Sequence, residues 1–231
     1  MKNKTKFFGM FTALATGVIA MALALALGSA AGASAQEGLT IPAPVVNEAK
    51  STADKETAIF AGGCFWGVQG VFQRVDGVTN AVSGYAGGMA DTAVYETVGS
   101  GTTGHAESVR VTFDPRKVSY GHLLQIYFSV AHDPTQLNRQ GNDTGTQYRS
   151  GIYYTTTEQK ETAESLIRQI TADKLFGRPI VTEVQPMENY WPAEEYHQDF
   201  FEKNPTQGYC LAVAAPKVAK FRKTFVDLTR K

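Results

Sequence analysis

Cysteine is scarce in this chain: Cys64 and Cys210 are the only two in 231 residues. That count excludes a disulfide-dense miniprotein and a four-cysteine zinc site. Net charge is missing as well. The 22 basic and 22 acidic side chains cancel, and no block of like charges stands anywhere, so the footprint of a nucleic-acid binder is absent. What is present, 43% hydrophobic and 19% charged residues, fits a globular protein and not a disordered one.

Charge is also lacking from residue 7 to residue 36, just after Lys2, Lys4 and Lys6. A basic start, an apolar run and the small-residue site Ala33-Ser34-Ala35 read as a secretory signal peptide over residues 1–35, cut after Ala35. The expected location is outside the cytosol, in a bacterial periplasm or another extracytoplasmic space. The alternative is an uncleaved membrane anchor, since the run is long enough to span a bilayer. No cysteine follows the run and no twin arginine precedes it, which argues against a lipoprotein and for a Sec-type route. Residues 36–57, with Pro42 and Pro44 and no sustained apolar period, read as a linker with little structure. Residues 58–231 have the size of one domain.

Within that domain, residues 57–62 form a short apolar strand ending in Gly62-Gly63. Val68, Val71, Phe72 and Val75 then follow at helical spacing. Cys64 is thus expected at a helix start. Residues 78–85, 108–113, 151–155 and 179–184 read as strands. Residues 119–130, capped by Ser119, residues 157–175 and residues 192–203, with Pro192 at the first position, read as helices. The polar stretch 132–149 is a long loop of the kind that often carries function. Half-exposed strands alternating with helices favour an α+β two-layer sandwich over a doubly wound parallel sheet.

Four constellations bear chemistry. Cys64 beside Phe65 and Trp66 faces the positive end of a helix, which favours the thiolate; the alternative is an inert small hydrophobe among core aromatics. The Gly- and Thr-rich stretch 95–107 delivers Glu107, which near aromatic side chains can act as a general acid or can be a solvated loop carboxylate. His105 beside it does not make a recognised metal pattern. Asp143 and Tyr148 lie in a Gly-punctuated loop and offer an acceptor and a phenol; the alternative is turn chemistry, with Asn142 and Asp143 as turn formers. Cys210 is either half of a structural disulfide with Cys64 or a resolving thiol; spacing leaves both open.

The blocks GCFWG, the Tyr95-to-GHAE segment, QGNDTGTQYRS, AEEYHQDF and NPTQGYC resemble, in order, those of the peptide-methionine (S)-S-oxide reductases, the A-type methionine sulfoxide reductases. The resemblance spans residues 57–226. It implies an α+β fold of ferredoxin-like two-layer α/β sandwich type with a long coiled C-terminal segment. It further implies Cys64 as nucleophile and Glu107 as proton donor to the sulfoxide oxygen, with Tyr95 and Tyr148 hydrogen-bonding that oxygen. Phe65 and Trp66 enclose the S-methyl group, and Asp143 accepts a substrate backbone N–H. The resemblance pairs Cys210 with Cys64 in a disulfide that a thioredoxin-like dithiol reduces. It implies no metal, no bound cofactor and no nucleic-acid partner, with oxidised proteins carrying methionine S-sulfoxide as substrates. Nothing demands more than a monomer. The tail after Cys210, Leu211-Ala-Val-Ala-Ala-Pro216, lacks the further cysteine of many relatives. Two other readings are an exported binding module stapled by Cys64–Cys210 and a different thiol enzyme, such as a peroxidase or a hydrolase that pairs a histidine with Cys64.

Overall fold

The computed structural model describes residues 39–46 and 51–231. The signal-peptide reading of residues 1–35 lies outside them, and among the described residues no helix is long and apolar enough to cross a membrane.

The central element is β1 (Glu56–Gly62). A turn leads from it into α1 (Phe65–Phe72), then β2 (Val78–Ala86) returns parallel to β1, with β3 (Ala106–Phe113) inserted antiparallel between them. Helix α2 (Tyr95–Val98) sits in the β2–β3 connection. Helix α3 (Tyr120–Ile126) begins at Ser119, whose hydroxyl accepts from the His122 N–H, and widens into a π turn over Tyr127–Ala131. The hairpin β4 (Arg139–Gln140) and β5 (Asp143–Thr144) precedes β6 (Ser150–Tyr154), which lies antiparallel to β1. Helix α4 (Thr157–Ala172), capped by Thr156, leads to β7 (Glu183–Pro186). The six-stranded order is β7-β6-β1-β3-β2-β8, with β8 (Tyr190–Pro192) on the β2 edge. This is a mixed α+β fold.

Phe60 shows why the two early helices share one sheet face. Its ring stacks on Phe72 of α1 at 5.1 Å and on Tyr127 at 5.0 Å. Side chains alternate across a strand, so Ile59 and Ala61 turn to the other face, where they cluster with Tyr153 and are covered by Met187 and Tyr190.

Two expectations change. Residues 192–203 are not one helix, because Pro192 pairs with Gly84 in the sheet and Asp199 takes a left-handed backbone (φ 58°); α5 is only Phe200–Lys203. The strand expected over 179–184 starts at Glu183. Residues 41–45 form neither helix nor strand, yet they are held. Ile41 is fully buried, its N–H donates to Ser129 Oγ at 2.9 Å, and its carbonyl accepts from Gln125 Nε2 at 2.7 Å. A single buried isoleucine has no period to betray it. The C-terminal part ends in a π turn (Cys210–Ala214) and α6 (Ala215–Thr224), packed on α1.

Candidate active site

Cys64 is the residue that caps α1. The turn that puts it there needs Gly63: φ is +81°, and a Cβ would meet Gln140 Cβ and Cγ at 2.6 Å. Gln140 is itself fixed, accepting from the Asp133 N–H and donating to the Asp133 carbonyl. The loop that carries Asp143 is thereby packed against the turn that carries Cys64.

The helix start does not by itself make Cys64 a thiolate. The Trp66 N–H and the Tyr209 hydroxyl favour the anion, but burial, followed by the nearby Glu107, pushes the thiol well above its ordinary range. Only 7% of Cys64 is exposed. The expectation from the helix terminus was right in sign for that one contribution and wrong for the balance, because desolvation disfavours any charge.

Glu107 lies on β3 opposite Tyr85 of β2 and is buried. Its Oε2 accepts the Phe65 N–H at 3.0 Å. Burial raises its pKa to about 8; the Phe65 N–H pulls it down and Asp143 pushes it up. At neutral pH it is mainly a carboxylic acid, not a solvated loop carboxylate. Tyr95, at the start of α2, and Tyr148 are both held above the ordinary phenol range, first by burial and then by Glu107, with Cys64 and Asp143 also contributing. Cys64, Glu107, Tyr95, Tyr148 and Asp143 therefore share one electrostatic environment.

Trp66 forms the aromatic wall beside Cys64. It stacks on Phe200 at 3.7 Å, meets Tyr209 edge-on at 5.7 Å, and donates from Nε1 to His197 Nδ1 at 3.2 Å. Phe65 is buried behind it, against Tyr85 and His197. Asp143 accepts a hydrogen bond from the Tyr209 hydroxyl, which is also within hydrogen-bonding reach of Cys64. Cys210 is fully buried in the π turn, and both cysteines are free thiols.

Residue-by-residue reading missed several participants. Glu194 accepts from the Tyr95 N–H at 2.9 Å and from the Tyr85 hydroxyl at 2.8 Å. Those donors hold its carboxyl below the ordinary range even though burial pulls it up. Glu194 and His197 lie in the AEEYHQDF block and Tyr209 in NPTQGYC, so the blocks were visible while the roles were not.

The histidines argue against a Cys–His hydrolase. His132 bonds Ser150 Oγ at 2.6 Å and the Tyr127 carbonyl at 3.2 Å, and burial lowers it to about 3. His105 bonds the Met89 carbonyl, His122 lies at the Ser119 cap, and His197 accepts from Trp66. None is bonded to Cys64. Among the described residues no group of acids, histidines and cysteines could hold a metal.

A family model described as peptide methionine sulfoxide reductase matches residues 56–229. A protein of Mesorhizobium japonicum named peptide methionine sulfoxide reductase MsrA 2 is 59% identical over 179 residues, covering 78% of this chain and 92% of that one. Among solved structures, reduced Mxr1 of Saccharomyces cerevisiae superposes with a TM-score of 0.64 at 30% identity, covering 70% of this chain and 92% of that one. Methionine sulfoxide reductase A of Corynebacterium diphtheriae gives 0.60 at 36% identity, covering 74% and 85%.

Proposed function

The chain belongs to the peptide methionine sulfoxide reductase family, A type, and from that membership we propose that it reduces the S epimer of methionine sulfoxide through Cys64. The family activity is thiol-dependent reduction of methionine sulfoxide, a protein-repair chemistry. The observation that carries the finer reading is Glu107: a buried acid, neutral near pH 7, hydrogen-bonded by the N–H of the residue after Cys64.

The Cys64 thiolate attacks the sulfoxide sulfur while Glu107 gives its proton to the oxygen, and Tyr95 and Tyr148 hydrogen-bond that oxygen as charge moves onto it. The protonated oxygen then passes from the methionine sulfur to the Cys64 sulfur as the S–O bond and the newly formed S–S bond break, leaving methionine and a Cys64 sulfenic acid, and the proton lost by Cys64 restores Glu107. The sulfoxide is reduced by two electrons and Cys64 is oxidised by two. The Cys210 thiol condenses with the sulfenic acid, forming a Cys64–Cys210 disulfide and water. Trp66 with Phe65 encloses the methyl group and sets the epimer. Asp143 takes the substrate backbone N–H in place of the Tyr209 hydroxyl.

A thioredoxin-like dithiol then reduces the disulfide by exchange, directly at Cys64–Cys210, since no further cysteine follows. Residues 1–35 serve as a signal peptide, so that dithiol is extracytoplasmic. The protein acts as a monomer. The order β6-β1-β3-β2, each strand antiparallel to its neighbour, supports a ferredoxin-like sandwich as the parent plan.

The test supplies purified protein with dithiothreitol and the two separated epimers of a blocked methionine sulfoxide, and follows methionine by chromatography. Release from the S epimer alone, lost in Cys64→Ser, is the expected result. No release from either epimer by folded protein leaves a binding module as the better reading.

A further inference from the structure

One buried cation has no part in the steps above. Lys217 lies in the first turn of α6, just after Pro216. Its stem rests on Gly67 of α1, where an added Cβ would meet Lys217 Cδ at 3.3 Å and Nζ at 3.7 Å. The Nζ is shut off from solvent and has no hydrogen-bond partner among the described residues. Lysine ordinarily buries its stem and keeps the ammonium in water. An ammonium withdrawn from water with none of its donors used is costly unless the fold supplies a charge to face it.

The charges are identifiable. Burial lowers Lys217 to about 8, and Cys64 and then Asp143 work against that by favouring the ammonium. Reciprocally, Lys217 favours the Cys64 anion. Facing Cys64 are Glu107 of β3, Tyr95 of α2, and Tyr148 and Tyr209, with Asp143 of β5 holding the Tyr209 hydroxyl. Lys217 faces Cys64, Asp143 and His132. Of all these groups Lys217 is the one that is positive near neutral pH, His132 being kept neutral by burial.

We propose that Lys217 is a positioning residue whose ammonium is the counter-charge of the Cys64 thiolate, brought to the nucleophile on the same C-terminal segment that carries Cys210. This rests on the reading of Cys64 as nucleophile. Burial and Glu107 oppose the Cys64 thiolate, while the Trp66 N–H, the Tyr209 hydroxyl and Lys217 favour it, and of these three Lys217 alone brings a full positive charge. The sulfenic acid and disulfide forms of Cys64 carry no charge. The counter-charge therefore acts at two moments: when Cys64 attacks the sulfoxide, and when the reductant expels it from the disulfide as a thiolate. The protonation equilibria of Cys64 and Lys217 are linked, and the midpoint read at Cys64 belongs to the pair.

The test uses the full chain in a Cys210→Ser background, where Cys64 is the remaining thiol. The rate of iodoacetamide modification of Cys64, read by mass, is followed against pH for the parent, Lys217→Met and Lys217→Arg. Removing the cation is expected to raise the midpoint by about one to two pH units and to cut the rate at pH 7 by roughly tenfold or more. Lys217→Arg is expected to stay within about half a unit of the parent, since guanidinium keeps the charge. Superimposable profiles for the parent and Lys217→Met overturn the proposal. Methionine keeps the stem and drops the charge, so a role in packing alone moves the melting temperature and not the midpoint. If Lys217→Met does not fold, Lys217→Gln replaces it, and an unshifted midpoint there overturns the proposal equally. Methionine release by Cys64→Ser, run in parallel, separates the two readings: activity surviving that change removes Cys64 as nucleophile, whatever the midpoint does.

Discussion

Cys64 and Cys210 are the same residue in two unlike regions. Cys64 stands where a central strand turns into a helix, with its neighbour Phe65 tied by the backbone to Glu107 and its turn packed on Gln140. Cys210 stands in a wide helical turn, fully buried, its thiol raised by burial alone. Exposed residues 205–208 precede it. The first region has its chemistry assembled in advance. The second holds a buried free thiol with no such assembly around it. Reactivity therefore belongs to the setting and not to the residue.

The contrast can be broken most sharply at its rigid side. Cys64→Ser is expected to abolish methionine release altogether, and turnover comparable to the parent would remove Cys64 from the mechanism. On the Cys210 side, Cys210→Ser is expected to yield about one methionine per enzyme and then stall with thioredoxin. A quench-flow burst without a steady state is the signature, and sustained turnover would place the resolving thiol elsewhere.

Glu107→Gln is expected to slow reduction by about a hundredfold or more, within the range for loss of a general acid. Because Glu107 sits near 8 and the proposed role uses its protonated form, the parent rate should fall as pH rises through about 8, and the variant should lose that limb. The sign extends to stability. Folding raises this carboxyl, so the folded state resists its ionisation, and stability is lost as pH climbs from the ordinary carboxylate range toward 8; chemical denaturation of Glu107→Gln should show a weaker loss.

The smallest effect is expected from Gly63→Ala, which strains a +81° φ and pushes on Gln140. About 1–3 kcal/mol of stability should be lost, with activity falling because Cys64 moves. A variant as stable and active as the parent would show that the turn is not rigid.

Much of this was legible in the residues. The Gly62-Gly63 break, the helical spacing after it and the alternation of residues 108–113 placed β1, α1 and β3 near their observed bounds, since each pattern reports one local geometry. The family blocks named Cys64, Glu107, Tyr95, Tyr148 and Asp143, and the fold gathers all five. Residues 192–203 were misread because their helical spacing competes with the pairing of Tyr190–Pro192 on the β2 edge, a long-range choice that no window of sequence contains. The hold on Ile41 is equally long-range, through Ser129 and Gln125.

The sequence alone determined which side chains could do chemistry and which turns could present them, because backbone freedom at glycine and hydrophobic period are local properties. Only the tertiary structure decided their state. Burial made Glu107 an acid near neutral pH, held Cys64 as a thiol despite its helix start, put the Tyr209 hydroxyl on Asp143 and brought Lys217 from the far end of the chain against α1. Desolvation and charge proximity depend on everything packed around a group.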